Sequence, residues 1–245
     1  MRYPILFWDS GGTIFHFSDR PGGFSGSPSP TQVMRQRDFR VARALEMFGH
    51  AAPDDLAEIL DGQKAELRER HGASFSHELL AAGLYAHLGI TGRDQETLQV
   101  ADALAGPRYR SWVWDGVPEA LAQLHQAGVR MGIIADSELT GRMMRNALSG
   151  VGLVDFFGPI LCSCDHGILK PDPRTFAHAL SRLQPPPAGG ESILYVGDNV
   201  VKDIDGATAF GWHAAHHLTT PEDVSSQAVL SFRDYADLVR LVLEG

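Results

Sequence analysis

The chain has 245 residues, of which 44% are hydrophobic, enough for one large domain or for a core with a smaller inserted domain. Its formal net charge of -9 argues against nucleic-acid binding, which requires a basic patch. No apolar run reaches the ~20 residues that span a bilayer, and no signal-peptide pattern opens the chain. We therefore expect a cytoplasmic protein with neither a nucleic-acid nor a membrane partner. Its two cysteines, Cys162 and Cys164, are expected to be reduced thiols.

The first predicted element is a short buried strand over residues 5–8. This apolar run is followed directly by Asp9-Ser10-Gly11-Gly12-Thr13, a pattern that predicts one carboxylate at the edge of a sheet. The two glycines allow the backbone to turn sharply and to approach a ligand without intervening side chains. Taken alone, the same pattern is also typical of an ordinary turn.

The next hundred residues predict an all-helical insertion. Residues 18–31 are rich in Gly, Ser and Pro and indicate an exposed loop that leaves the core. Four helical patterns follow, at residues 31–48, 54–71, 76–88 and 94–104, and we expect Ser76 and Asp94 to be N-caps. The chain then returns to the core at residues 112–116.

The remaining residues alternate between strand and helix patterns. Strands are predicted at residues 129–135, 159–162, 193–196 and 212–215. Helices are predicted at residues 118–127, 138–149, 173–183, 204–210 and 235–243. This alternation predicts an α/β fold with a doubly wound, Rossmann-like parallel sheet.

Several charged residues follow the predicted strands. The carboxyl ends of parallel strands meet at one edge of such a sheet, where ligands bind. We therefore expect five side chains to converge there: Asp9, Asp136, Lys170, Asp198 and Asp203. Several acids around a single lysine are costly unless a divalent cation and an anionic ligand complete the charge balance.

The order of these segments resembles the haloacid dehalogenase superfamily. The matching pieces are Asp9-Ser10-Gly11-Gly12-Thr13, the strand that ends at Ser137, Lys170-Pro171-Asp172-Pro173, and the segment from Gly197 to Asp203. The resemblance covers residues 1–14 and about 113–220. It implies an α/β core of residues 1–14 and 113–245 with an inserted α-helical cap of residues 15–112. It also implies a Mg²⁺-dependent hydrolase, in particular a phosphatase acting on a small phosphorylated metabolite.

The resemblance also implies which residues are catalytic and which bind the metal ion. Asp9 is then the nucleophile that forms an aspartyl-phosphate, and Lys170 neutralises Asp9 and the incoming phosphate. Mg²⁺ is held by Asp9, the carbonyl of Gly11, Asp198 and Asp203. Two interpretations of Asp203 stay open: a second metal ligand, or a helix N-terminal residue favoured by the helix dipole.

Phosphate binding is implied for Gly12, Asp136 and Ser137 in addition to Lys170. Ser137 has two interpretations, since its hydroxyl either binds a phosphate oxygen or caps the helix that follows. The family usually has Ser or Thr at the end of this strand, where the chain has Ala135.

A second departure concerns proton transfer. The family's phosphatases usually have an Asp as general acid and base two residues after the nucleophile, whereas this chain has Gly11. A substitute donor must then come from elsewhere. The candidates are His16, Asp19 and Asp136, and the histidines of the predicted cap, His71, His77 and His87.

Two other functions remain open. The first is a catalytically degenerate protein that binds a metal ion, a phosphorylated ligand or a partner without turnover, which the loss of side chains at Gly11 and Ala135 favours. The second is cleavage of a carbon–phosphorus or carbon–halogen bond. Relatives with those activities need special residues such as a cap lysine, and Lys64 is the only lysine in the predicted cap.

Overall fold

A computed structural model describes residues 1–16, 28–186, 189–219 and 224–244. Its centre is a six-stranded sheet with the order β3-β2-β1-β4-β5-β6, in which every neighbouring pair is parallel. The doubly wound parallel sheet predicted from the sequence is confirmed. The strands are β1 (Ile5–Trp8), β2 (Arg130–Ala135), β3 (Ile160–Cys162), β4 (Ile193–Gly197), β5 (His213–His217) and β6 (Leu230–Phe232).

The described part of the chain forms eleven α-helices. Five lie between β1 and the return segment at residues 112–116: α1 (Pro30–Arg35), α2 (Arg37–Met47), α3 (Leu56–His71), α4 (His77–His87) and α5 (Asp94–Ala105). Six belong to the alternating part of the chain: α6 (Val117–Gln126), α7 (Gly141–Gly150), α8 (Ser163–His166), α9 (Pro173–Ser181), α10 (Gly206–Ala209) and α11 (Tyr235–Glu244). Among the described residues, no helix combines the length and the hydrophobicity needed to cross a bilayer.

The central strand β1 is buried on both faces. Leu6 and Trp8 belong to one hydrophobic cluster, which includes residues of α6, α7 and α11. Ile5 and Phe7 belong to a second cluster on the opposite face, with residues of α9 and α10. Because helices cover both faces, the strand is apolar throughout rather than alternating. Asp9 is therefore the first polar side chain that the chain reaches at the carboxyl end of the sheet.

Helices α1 to α5 form what we call the helical insertion, residues 30–105, between β1 and β2. Within the described residues it adds no strand to the main sheet. Its contacts with the core include polar bridges from Glu138 to Lys64 at 2.8 Å and from Arg142 to Glu78 and Asp102, both at 2.9 Å. Of the predicted exit loop, residues 18–27 lie outside the described residues.

Several element boundaries differ from the sequence-based prediction. The single helix expected over residues 31–48 is two helices, separated at Gln36, where ψ is 8°. The helix expected from residue 138 begins at Gly141, because Thr140 is the N-cap and its hydroxyl accepts from the N–H of Met143. The segment before α10 is a π-helical turn, Val200–Asp205. The sequence analysis missed β6 and α8, both of which are short.

Gly132 in β2 permits this strand to pack closely against β1, and its substitution tests that packing. A Cβ at Gly132 would lie 2.7 Å from Cε1 of Phe7 and 2.9 Å from the carbonyl oxygen of Pro159. We expect Gly132→Ala to lower the free energy of unfolding by about 1–3 kcal/mol through overpacking, measured by urea denaturation. Gly158→Ala is the matched control, since its nearest neighbour would be 3.7 Å away. Equal stability of the two variants would contradict this packing.

Candidate active site

The candidate site lies at the carboxyl end of the sheet, where β1, β2 and β4 end side by side. Asp9 follows β1, Asp136 follows β2 and Asp198 follows β4. Lys170 precedes α9, and Asp203 lies in the π-helical turn after β4. The structure thus brings together the five charged residues that the sequence analysis expected to converge, and all five line one cavity.

The Lys170 side chain is the centre of this arrangement. Its ammonium group donates to Oδ1 of Asp9 at 2.7 Å, to Oδ1 of Asp203 at 2.6 Å and to the hydroxyl of Tyr195 at 2.9 Å. The Tyr195 hydroxyl in turn donates to the carbonyl of Ile134 at 3.0 Å. Burial opposes the charge of Lys170, but Asp203 and Asp9 outweigh it and hold the pKa of Lys170 well above its ordinary value.

Three carboxylates around this lysine form a group that suits a metal ion. One oxygen of each of Asp9, Asp198 and Asp203 lies within 4.8 Å of the others. Burial raises the pKa of Asp9 to about 7, and the neighbouring Asp203 and Asp198 add to this against the effect of Lys170. Burial and the charge of Asp203 raise the pKa of Asp198 to about 6. The excess of negative charge at this buried site and the carboxylate oxygens, which are hard donors, match what Mg²⁺ prefers.

Two glycines allow the loops of the site to approach each other closely. Gly12 has a left-handed φ of 84°, and a Cβ there would lie 2.1 Å from Oδ2 of Asp198. A Cβ at Gly197 would lie 2.4 Å from Cβ of Asp203. The positive φ of this loop is at Gly12 and not at Gly11, so a side chain at Gly11 meets no left-handed strain.

Two buried histidines at the end of β5 hold the same loops. Nε2 of His216 donates to the carbonyl of Asp198 at 3.0 Å, since its Nδ1 accepts from the N–H of Ser225. Nδ1 of His217 donates to the carbonyl of Gly12 at 2.9 Å. The sequence analysis missed both residues. The signal that could have found them is a pair of histidines at the end of an apolar strand.

Two adjoining cavities open beside these residues. The inner cavity, of about 280 Å³, is lined by Asp9, Gly11 and the other residues of the carboxylate group. The outer cavity, of about 360 Å³, lies between the helical insertion and the core. Asp136, Ser137, Leu139 and Arg108 line both.

The residues near the expected phosphate position differ in whether their polar groups already form hydrogen bonds within the protein. The Gly12 N–H donates to the carbonyl of Phe15 at 2.7 Å, whereas among the described residues no acceptor is bonded to the N–H groups of Ser10 and Gly11. The hydroxyl of Ser137 accepts from the N–H of Leu139 at 2.9 Å. Ser137 therefore braces a turn, and the helix is capped by Thr140 instead.

Asp136 and Asp203 are both held by several partners. Oδ1 of Asp136 accepts from the Lys170 N–H at 3.0 Å, and Oδ2 forms an ion pair with Lys202 at 3.1 Å. Oδ2 of Asp203 accepts from the Asn199 N–H at 3.0 Å. The Asp203 side chain thus turns inward to Lys170 rather than outward along its helical turn. The sequence analysis missed Tyr195, Asn199 and Lys202.

Of the candidate proton donors among the described residues, Asp136 lines the inner cavity. Nε2 of His16 is hydrogen-bonded to the carbonyl of Ser111 at 2.9 Å. His77 lines the outer cavity, with Nδ1 3.1 Å from the carbonyl of Glu138. His71 and His87 are exposed and do not line the inner cavity. Asp19 lies outside the described residues.

Comparisons with known proteins agree with this geometry. A family model for haloacid dehalogenase-like hydrolases matches residues 3–211. The phosphoserine phosphatase of Thermus thermophilus is 31% identical over 232 residues, which cover 89% of this chain and 87% of that protein.

Two solved structures share the fold. One is a 2-haloacid dehalogenase from Pseudomonas syringae, with a TM-score of 0.64, 18% identity, and coverage of 100% of this chain and 99% of that chain. The other is the hydrolase YfnB from Bacillus subtilis bound to magnesium, with a TM-score of 0.56, 18% identity and 99% coverage of both chains. The family match, with the carboxylates and lysine at the sheet edge, identifies the chain as a phosphatase-like hydrolase of the haloacid dehalogenase superfamily.

Proposed function

We propose that the protein is a Mg²⁺-dependent phosphatase that transfers the phosphoryl group of a small phosphorylated metabolite first to Asp9 and then to water. The observation that carries this proposal is the contact between Asp9 and the buried Lys170, 2.7 Å apart, inside the cavity that Asp198 and Asp203 also line. Because Lys170 binds one oxygen of the Asp9 carboxylate, the second oxygen is available for attack on phosphorus.

The residues that would hold Mg²⁺ are Asp9, Asp198 and the carbonyl of Gly11, with Asp203 as a direct or water-mediated ligand. When bound, the ion stabilises the negative charge that develops on the transferring phosphoryl group. Asp203 accepts hydrogen bonds from Lys170 and Asn199. These bonds support the proposal that the main role of Asp203 is to orient Lys170.

The proposed reaction has two displacements at phosphorus. An oxygen of Asp9 attacks the phosphoryl group, a carboxylate–phosphorus bond forms, and the bond to the leaving oxygen breaks. Water then attacks the same phosphorus, which releases inorganic phosphate and restores the carboxylate. Lys170 offsets the negative charge near Asp9 throughout. The N–H groups of Ser10 and Gly11, which have no acceptor among the described residues, are suited to bind the phosphoryl oxygens.

The missing carboxylate at residue 11 restricts the substrate. General acid catalysis contributes about 10²–10⁴-fold, so substrates with good leaving groups, such as acyl and aryl phosphates, are affected least. Of the substitute donors considered among the described residues, Asp136 lines the inner cavity, but its two oxygens face Lys170 and Lys202. Poor leaving groups should therefore react slowly.

We further propose that residues 15–112 act as a cap that closes over the site and excludes water from the aspartyl-phosphate. The helical insertion and the core share one hydrophobic cluster, but they are also joined by polar bridges from Glu138 and Arg142. These bridges support the proposal, because such ion pairs separate at a lower cost than an apolar core does. The return segment, residues 112–116, is the proposed hinge.

A carbon–phosphorus or carbon–halogen hydrolase has less support. Lys64, the lysine on which the carbon–phosphorus alternative depends, is paired with Glu138 at 2.8 Å. It lines the outer cavity and is absent from the inner one that contains Asp9.

The first test is turnover of phenyl phosphate with Mg²⁺. We expect Asp9→Asn to abolish measurable turnover, because an amide is not a nucleophile here. Asp205→Asn is the matched control: Asp205 ends the π-helical turn and does not line the inner cavity. Full activity of Asp9→Asn would overturn the proposal, and no turnover by the wild type would favour the non-catalytic alternative.

The raised pKa values of Asp9 and Asp198, about 7 and about 6, predict a pH-dependent metal affinity. Mg²⁺ needs both carboxylates deprotonated, so its affinity should weaken by about 20-fold between pH 8 and pH 6. The stability of the metal-free protein should change with pH in the opposite direction. These pKa values lie above the unfolded value, so the free energy of unfolding should fall as pH rises through 7.

Calorimetric titration and thermal unfolding check these two effects. Asp198→Asn should weaken Mg²⁺ binding at pH 8, whereas Asp205→Asn should retain it. An affinity that does not change between pH 6 and pH 8, or that Asp198→Asn leaves intact, would contradict the metal site.

The departure at residue 11 gives a third prediction. Gly11→Asp restores a donor for the leaving group and should raise turnover of alkyl phosphates by up to ~10²–10⁴-fold, with a smaller gain for aryl phosphates. The measurement is the alkyl-to-aryl ratio of kcat/KM in both proteins. A ratio that is already high in the wild type and unchanged in Gly11→Asp would show that another group donates the proton, and Asp136 would be tested next.

A further inference from the structure

Arg108 lies in the segment that returns from α5 to the core, and it lines both the inner and the outer cavity. Its Nη1 donates to the carbonyls of Ala105 at 3.1 Å and Gly106 at 3.3 Å. Its Cζ lies 5.8 Å from the centre of the Trp112 ring. Among the described residues, no carboxylate pairs with Arg108, and Nε and Nη2 have no acceptor.

The other cationic side chains of the outer cavity are engaged. Lys64 is paired with Glu138, and Arg37 is paired with Asp38 and Asp61, both at 2.7 Å. Arg40 donates to backbone carbonyls, including that of Ala103 at 2.9 Å. Within the described part of the chain, Arg108 is therefore the cation of this cavity that has neither a carboxylate partner nor acceptors for two of its nitrogens, Nε and Nη2.

Burial, reinforced by the charge of Arg40, lowers the pKa of Arg108. A positive charge held at a partly buried position without a counter-ion is unfavourable. An anionic ligand would remove this cost. The location also suits a ligand, because Arg108 lines the same inner cavity as Asp9.

We propose that Arg108 binds a carboxylate of the substrate, and that the substrate is a small phosphorylated molecule with a carboxylate at the end remote from the phosphate. The inference rests on the proposed function, which puts the phosphate at Asp9. Nη1 is occupied by carbonyls, so the remaining edge is Nε–H and one N–H of Nη2. These two donors are parallel and match the two oxygens of a carboxylate.

The position of Arg108 also explains how a molecule with two anionic groups, a phosphate and a carboxylate, is accepted beside three carboxylates. Lys170 is the cation of the inner cavity that contacts Asp9, and its ammonium is fully used by Asp9, Asp203 and Tyr195. A second anionic group near these acids needs its own cation. Arg108, at the wall that the two cavities share, supplies it.

The test compares 4-carboxyphenyl phosphate with 4-carbamoylphenyl phosphate, which is neutral at the remote end, and repeats the comparison with the 3-substituted pair. We expect the wild type to favour the carboxylate in kcat/KM. For each pair, the ratio of kcat/KM for the carboxylate to kcat/KM for the amide should fall by about 10–100-fold in Arg108→Gln. Arg110→Gln is the matched control, since Arg110 is exposed two residues away, and it should keep the wild-type ratio. Equal ratios in wild type and Arg108→Gln would overturn the inference.

Binding of unreactive analogues separates this inference from the proposed function. If no aryl phosphate is turned over, the proposed function fails, and calorimetry with 4-carboxybenzylphosphonate and 4-carbamoylbenzylphosphonate decides the inference alone. Tighter binding of the carboxylate, lost in Arg108→Gln and retained in Arg110→Gln, supports the Arg108 site. Equal binding of the two phosphonates to the wild type contradicts it.

Discussion

The charge balance around the buried ammonium of Lys170 is the constraint on which the site depends. This group donates to Asp9 and Asp203 at 2.7 and 2.6 Å, while Asp198 adds a third carboxylate, one oxygen of which lies within 4.8 Å of an oxygen of each of the other two. One lysine cannot neutralise three acids. Burial, together with the charges of Asp203 and Asp198, raises the pKa of Asp9 to about 7. The proposed divalent cation and anionic substrate would complete this charge balance.

The surrounding fold brings these charges close together and holds them there. The parallel sheet delivers Asp9 and Asp198 from neighbouring strands, β1 and β4. Gly12 removes the side chain that would overlap Asp198, and His216 and His217 bond to the carbonyls of Asp198 and Gly12. Preorganisation of this kind favours transition-state stabilisation, because the charged groups need little rearrangement during reaction.

The sequence was sufficient to predict the parallel sheet, the helical insertion and the convergence of Asp9, Lys170 and Asp198, since strand ends and the order of motifs are local signals. It was insufficient for Tyr195 and Arg108. Tyr195 occupies a buried strand position typical of a core residue, and Arg108 resembles an ordinary loop arginine. Their partners become apparent only through contacts between distant segments, such as the bond from Lys170 to Tyr195. The break at Gln36 was missed because the apolar face continues through it, with Val33 and Val41 buried on either side.

In the proposed reaction, Asp9 carries the phosphoryl group between substrate and water. The most direct measurement is to mix the protein with Mg²⁺ and an aryl phosphate, quench with acid during turnover, and locate the modification by peptide mass spectrometry. We expect one phosphoryl group on Asp9, removed by hydroxylamine as expected for an acyl phosphate and absent in Asp9→Asn. Turnover that proceeds with no adduct, or with an adduct on another residue, would contradict it.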